Sequence, residues 1–425
     1  MAGQDELKQD ARAIFMAGVA EADPHDAVVN ALEVHDGEWS EAGKVHVIAA
    51  GKAAVPMIQA ALELLPAGKI GEALVVTNVE NVLDIKGVTV IGASHPLPDE
   101  NGAHSAREAE RIARDAATSD LVLCLISGGA SALLPAPVEG VTLAEKIAAS
   151  ELLLKSGADI VAMNTVRKAL SRLKGGGLAR AISPAQGLAL ILSDVPGDDL
   201  AIIASGPTVA DPAPPEKALE IVRGLGLSDR MPASVMAHLE KRAGEPSQDF
   251  VHTTENLLIG SNRISLQATD NAASHRGYET VILSEWLEGD VQDAADAFLA
   301  AAAKAPSGKV AILAGGETTV HVTGTGKGGR NQEMALRFAA LCEGTPLPRP
   351  WAFLSGGTDG RDGPTDAAGG LVTPDTIPAL AAKDMSVKAY LDDNDAYHAL
   401  EAADALLMTG ATGTNVADLQ VLLLG

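Results

Sequence analysis

The sequence predicts an α/β protein of two domains, each built from short buried strands wrapped by helices. Three observations carry that prediction. At 425 residues the chain is longer than one ordinary core accommodates. Its hydrophobic content of 47% comes mainly from Ala, Val and Leu, with 43 glycines and an aromatic share of only 3%, the balance of buried parallel strands joined by tight turns. Short apolar runs also alternate with helical patterns and repeatedly end in polar, glycine-bearing turns.

The chain opens on a charged, helix-like stretch with Leu7, Ala11, Ile14, Phe15 and Gly18 on one face. Residues 45–50 (VHVIAA) read as a buried strand entering Gly51-Lys52 and then a helix through Leu65. Apolar runs at 73–76 and 88–91 follow, the second leading into the stiff loop Ser94-His95-Pro96-Leu97-Pro98, with Asn101 expected to cap the next helix. Residues 121–126 (LVLCLI) form a further strand that ends in Ser127-Gly128-Gly129-Ala130-Ser131. Thr142 and Glu145 have capping-box spacing. From Asn164, Val166, Ala169, Leu170 and Leu173 recur at helical spacing, leaving Arg167, Lys168, Arg172 and Lys174 elsewhere on the turn. Residues 188–192 are again a strand, ending at Ser193-Asp194.

The composition turns polar between Gly224 and Asn256, which places a domain boundary near 247, giving domains of 1–247 and 248–425. Beyond it come strands at 257–259 and 280–283, helices at 262–277 and 291–304, a strand at 310–313 ending in Gly315-Gly316-Glu317-Thr318, and a short alternating strand at 319–322. The glycine-rich loop 324–329 then runs into a helix at Arg330. A strand at 352–354 precedes a turn crowded with Asp359, Asp362 and Asp366, a last helix starts at 392–395, and 421–424 closes the chain.

A net charge of -24 repels phosphodiester backbones and anionic lipid, and no basic patch offsets it, which argues against nucleic-acid and membrane partners. Cys124 and Cys342 are too few for a disulfide framework or a zinc site and sit in apolar runs as small buried residues. No apolar run approaches the ~18 residues of a membrane span, so a cytoplasmic protein is expected.

The loop 324–329 is where chemistry is expected, because four glycines before a helix allow backbone amides close to an anion. Gly324, Gly326 and Gly329 spell a dinucleotide fingerprint, but the run before them is short and alternating, and Asp359 lies too far along to serve as the ribose acid. Lys327 is followed by Gly328 rather than Ser or Thr, which excludes a P-loop, and Gly129 to Leu133 lacks the last glycine of a nucleophile elbow. Phosphoryl transfer needs cations on the phosphates, a carboxylate-held Mg²⁺ and a group at the attacking hydroxyl. Lys52, Lys327 and Arg330 supply the first, and Asp194, Asp198, Glu317 and Asp359 supply hard oxygen ligands. Each has an ordinary alternative: turn aspartates such as Asp198 and Asp362 cap backbone, Arg167, Lys168 and Arg172 can form a solvated face, and His95 can be structural.

Seven segments together resemble the class II glycerate kinases, whose C-terminal half is the MOFRL domain and whose members are often labelled hydroxypyruvate reductase. They are GKAA (51–54), SHPLPDENG (94–102), SGGASALL (127–134), NTVRKALSRLKGGGLA (164–179), SDVPGDDLAIIASGPT (193–208), GGETTVHVTGTGKGGRNQE (315–333) and SGGTDGRDGPTDAAGG (355–370). Ala169 and Ala130 stand where many relatives have histidine and a third glycine. The resemblance implies a Rossmann-like N-terminal domain with a parallel sheet, a second α/β domain of MOFRL type, and an active site in a cleft between them. It implies ATP-dependent phosphorylation of D-glycerate at the 2-hydroxyl with a divalent metal, Mg²⁺, as cofactor; an NAD(P)H-dependent hydroxypyruvate reductase is the alternative. Lys52 and Arg330 are then the residues most tied to catalysis, with Asp194 at the 2-hydroxyl. Substrate binding is expected of His95, Ser127, Gly128, Gly129, Ser131 and Arg167. Nucleotide binding is expected of Gly315, Gly316, Glu317, Thr318, Gly324, Gly326, Lys327, Gly328, Gly329 and Asn331, and metal binding of Glu317 and Asp359.

Overall fold

The computed structural model describes residues 2–245 and 254–425. They form two compact units, Pro24–Ile259 and the discontinuous set Met1–Asp23 with Gly260–Gly425. The expected boundary at 247/248 lies outside the described residues.

In the first unit, β1 (Val45–Ala50), β2 (Ile70–Asn78), β3 (Thr89–Ala93), β4 (Leu121–Ile126), β5 (Gln186–Leu192) and β6 (Thr254–Gly260) make one sheet in the order β3-β2-β1-β4-β5-β6. β1 to β5 run parallel. Alternate residues of each strand enter different cores. Ile48, Ala50, Val122, Cys124 and Ile126 belong to one, and Val47, Ala49, Leu121, Leu123 and Leu125 to the other. Both faces of the sheet are therefore covered by helices, which is why LVLCLI reads as continuous apolar sequence with every residue buried. The chain departs from β1 toward β2 on one side, and β4 lies on the other side. The carboxyl ends of β1 and β4 thus flank the topological switch point, where ligands bind in such sheets.

The second unit carries a mixed sheet of β7 (Glu279–Leu287), β8 (Val310–Gly316), β9 (Trp351–Gly357), β10 (Gly369–Val372), β11 (Leu406–Leu407) and β12 (Asp418–Leu424), ordered β11-β10-β9-β12-β8-β7. The last strand is inserted in the middle, antiparallel to β8 and β9. Asp418 at its start lies opposite Gly316 on one side and Gly357 on the other. Of the expected strand at 319–322 only Thr319 makes a bridge, to Asp290; the segment otherwise runs as irregular chain. β10, which opens on two glycines, and β11, of two residues, are short and carry no period that marks them in the sequence.

The first helix, Ala2–Glu21, belongs to this second unit because its apolar face covers the sheet. Leu7, Ala11, Ile14 and Phe15 pack with Leu354, Leu419, Val421 and Leu423. The expected capping box at Thr142 is present, with both reciprocal bonds. The expected Asn101 cap is not: Asp99 accepts from the Gly102 amide at 2.9 Å, and Asn101 reaches back to the Gly92 carbonyl. Cys124 and Cys342 are buried thiols, each pushed up to about 12 by that burial.

Phe15→Ala is expected to destabilise the second unit by about 3–5 kcal/mol, since a fully buried ring on a sheet leaves a cavity. Hydrogen exchange should lose protection in β9 and β12 while β1 and β4 keep theirs.

Candidate active site

At the switch point two glycine turns touch. The Lys52 amide donates to the Gly128 carbonyl at 2.9 Å, and the Ala53 amide donates to Ser127 Oγ at 3.1 Å. Gly51 (φ +133°) has no room for a side chain, because a Cβ there would run into Ser127. A Cβ on Gly128 would run into Oδ2 of Asp194, so that carboxylate, from the end of β5, lies directly against the Gly128 backbone. Lys52 and His95 meet over Gly129: a Cβ built there would lie 3.4 Å from Lys52 Cγ and 3.2 Å from His95 Cδ2. Partial burial lowers the His95 imidazole below its ordinary value and Lys52 lowers it further, against the opposing pull of Asp194 and Glu80. A neutral ring at physiological pH can donate or accept beside these charged groups.

Beside this turn opens a pocket of ≈ 390 Å³. Pro96, Leu97, Pro135 and Ile147 give it an apolar wall, and Ser131, Lys146, Arg167 and Lys174 give it a cationic one. Lys174 Nζ donates to Ser131 Oγ at 2.6 Å, and Ser131 shares a 3.1 Å bond with the Ser205 hydroxyl. Burial pushes the Lys174 amine down to about 7, with Arg167 adding to the effect. Lys146 Nζ donates to the Leu170 carbonyl at 2.7 Å, and burial, then Lys174, Arg172 and Arg167, holds it well below its ordinary value. Lys168 pairs with Asp211 at 3.6 Å and Arg172 with Glu110 at 2.8 Å, so of the three expected basic residues only Arg167 is turned to the pocket.

In the second unit Arg330 is the centre. Its guanidinium forks onto the fully buried Asp418, Nε to Oδ2 at 2.6 Å and Nη2 to Oδ1 at 3.0 Å, while Nη1 reaches Glu317 at 2.7 Å. Burial by itself would lower the arginine, but Asp418, then Glu317 and Asp362, hold it above its ordinary value. Glu317 and Asp359 follow the ends of β8 and β9, the two strands that flank Asp418. Each keeps one carboxylate oxygen without a hydrogen bond among the described residues.

The glycine loop differs from an open anion cradle. The amides of Thr323 and Gly324 donate to Asn394 Oδ1, that of Thr325 to Asp393, and that of Lys327 to Asp395, all at 2.8–3.0 Å. At the helix start, Asn331 and Gln332 donate to Asp362 at 3.2 and 2.8 Å. Burial pushes Asp362 up to about 7 against the pull of those amides. The glycines answer to packing: side chains at Gly324 and Gly326 would strike the turn 393–395, and one at Gly329 would strike Asp362. The amides of Gly328 and Gly329 alone in the stretch 323–329 carry no hydrogen bond among the described residues. Lys327 Nζ sits 3.8 Å from the Tyr397 ring centroid, a cation–π contact that holds its side chain.

The chain matches a domain of unknown function, DUF4147, over residues 10–240 and the MOFRL family over residues 310–418. It is 40% identical to the glycerate 2-kinase of Pyrococcus horikoshii across 96% of both chains. The chain belongs to the glycerate kinase family. A solved structure of the Thermotoga maritima glycerate kinase superposes with a TM-score of 0.91 at 37% identity, covering 99% of this chain and 100% of that one. A putative hydroxypyruvate reductase of Agrobacterium vitis, 39% identical over 98% of this chain and 94% of its own, carries the other label found in the family.

Placed on this family frame, Lys52, His95, Gly128, Gly129 and Asp194 come together, and Ser131 and Arg167 join them on the pocket wall. Ser127 is buried, its hydroxyl spent on the Ala53 amide. In the second unit Glu317, Arg330 and Asp359 gather at one sheet edge. Thr318 and Asn331 are buried, Asn331 bonding inward to Ser355 and Asp362. Gly315 and Gly316 are needed for close approach of Asn262 and Leu287. The roles of Asp418, Lys146, Lys174 and the 393–395 turn are not among those expected from the sequence. The run DDND (392–395) was the one local signal for the last of these. Asp418→Asn should destabilise the second unit by about 3–5 kcal/mol, because it leaves Arg330 beside a neutral buried group. Chemical denaturation followed by the fluorescence of Trp351, itself buried in that unit, checks this.

Proposed function

We propose that this protein is an ATP-dependent glycerate 2-kinase, which transfers the γ-phosphoryl group to the 2-hydroxyl of D-glycerate. The observation that carries the reading is the convergence of Lys52, His95 and Asp194 on the Gly128-Gly129 turn at the switch point, beside a pocket with cationic and apolar walls. The name of the Pyrococcus relative, 40% identical along nearly the whole chain, supports the same reaction and the same hydroxyl.

In this reading Asp194, set against the Gly128 backbone, accepts or orients the proton of the attacking hydroxyl. In the first unit Lys52 would spread the charge of a transferring phosphoryl group, and in the second Arg330, Lys327 and the Gly328 and Gly329 amides would bind phosphate oxygens. His95, kept neutral, donates to the acid without adding charge beside Lys52. The free oxygens of Glu317 and Asp359 are hard donors that follow the ends of β8 and β9, and among the described residues neither belongs to a group of three or more possible metal ligands. That donor set fits Mg²⁺, which takes one or two carboxylates and completes its shell with phosphates and water. When bound, the ion would neutralise phosphate charge.

The reductase reading is favoured by the label of the Agrobacterium relative. The loop amides oppose it, since four of those a pyrophosphate would use are already donated to Asn394, Asp393 and Asp395. No helix among the described residues is long and apolar enough to cross a membrane; with a small charged acid and a nucleotide as substrates, we place the enzyme in the cytoplasm.

Purified protein given D-glycerate, ATP and Mg²⁺ should release ADP only when glycerate is present. Oxidation of NADH with hydroxypyruvate, and no ADP, would reverse the assignment. Lys52→Ala, with the fold retained, and Arg330→Lys, which keeps a cation beside the buried Asp418, should each lower kcat by about 10²–10³, and near-normal turnover in both would remove these residues from the mechanism.

A further inference from the structure

The cationic wall of the pocket has an unusual electrostatic condition. Lys174 and Lys146 are both buried, at 6% and 5% exposed, and among the described residues their amines are bonded only to the neutral oxygens of Ser131 and Leu170. Arg167, the third cation on the wall, makes no ion pair among the described residues. Buried charges are ordinarily paired, and three cations sharing a wall with no ion pair among the described residues repel one another. The other charged groups around Lys174 are accounted for. Arg172, on the same turn, is paired with Glu110. Lys168 on the helix Ile160–Ala169 is paired with Asp211, which borders Gly175. Glu151 on the helix Leu143–Lys155 is paired with Lys155, while His95 and Asp194 stand on the Gly128–Gly129 side of the pocket.

We propose that Lys174, set by Ser131 and backed by Lys146 and Arg167, is the clamp for the carboxylate of the acceptor acid. The clamp completes its charge only when the acid arrives. This assignment rests on the kinase reading of the same site and names the part of the acceptor held there: the carboxylate end of a small hydroxy acid, with its hydroxyls left toward Asp194. The serine hydroxyl gives the amine a fixed direction, and the lysine in return supplies the binding charge that backbone amides of a four-residue helix such as Ala130–Leu133 cannot.

The consequence is a proton taken up with the substrate. With the free amine titrating at about 7, Lys174 is largely neutral at pH 8, and an arriving carboxylate favours its ammonium form. Well below pH 7 the lysine is already charged, so binding there takes up no proton and affinity is flat. Above it, affinity falls as pH rises, because each binding event must also recruit a proton.

Calorimetry of the full-length protein with D-glycerate and no nucleotide, repeated at pH 8 in buffers of different ionisation enthalpy, reads this directly. Uptake of most of a proton per glycerate is expected, with Kd weakening by close to tenfold between pH 7.5 and 8.5. Glycerol, which has the hydroxyls without the carboxylate, should give neither heat nor proton uptake. Lys174→Met should bind glycerate at least tenfold more weakly and lose the proton uptake, whereas Lys146→Met should weaken binding and keep it. No glycerate binding, binding without proton uptake in the unaltered protein, or equal uptake in Lys174→Met would each overturn the clamp. ADP release tests the kinase reading separately: turnover with proton-independent binding sinks the clamp alone, and proton-linked binding without turnover sinks the kinase alone.

Discussion

The fork between Arg330 and Asp418 is the interaction on which the second unit's chemistry depends. It exists because β12, the last strand, enters the sheet between β8 and β9 and runs against both. That insertion sets the start of one strand level with the ends of two others, so Asp418, Glu317 and Asp359 reach one edge from three strands. A fully buried carboxylate at that edge needs a cation, and Arg330 at the first position of the helix Arg330–Gly344 supplies it in a two-pronged geometry that fixes the guanidinium. The same helix start is capped by Asp362, so its amides serve the fold and its side chains are what remain for a ligand.

The first unit solves the opposite problem. There the glycine turns exist so that chain can touch chain: Gly51 admits Ser127, and Gly128 admits the Asp194 carboxylate. Around this tight junction the charges are left incomplete, with Lys174, Lys146 and Arg167 sharing a wall and, among the described residues, none of them in an ion pair. In a chain of net charge -24 this is a local reversal of sign, which is what an anionic substrate requires to be drawn in. One unit thus holds its key cation in a finished salt bridge, and the other keeps its cations waiting for a counter-charge.

Much of this was legible in the sequence where the signal is local. The strand LVLCLI, the glycine turn after it, the capping box at Thr142 and the apolar face of the first helix each follow from composition within a few residues. What was not legible depends on partners far along the chain. The glycines of 324–329 look like an anion nest in isolation, and only the fold shows that the turn 393–395 fills the space they leave. Lys174 sits in a pattern that reads as helix surface, but the helix ends at Ala169, and the three glycines after Lys174 turn the chain so that its amine is buried. Asp418 precedes an apolar run and has no local mark; its role comes from strand order, which no periodicity encodes. The first helix joins the C-terminal unit for the same reason, since its apolar face says that it packs but not on which sheet.

The proposed reaction puts phosphate on the secondary hydroxyl of glycerate. Proton-coupled phosphorus NMR of the product from D-glycerate, ATP and Mg²⁺ tests it most directly, because a phosphate on the 2-oxygen couples to the single proton of its carbon and one on the 3-oxygen couples to two. A doublet from the new phosphomonoester is the predicted result, and a triplet, or no organic phosphate beyond the nucleotides, would contradict it.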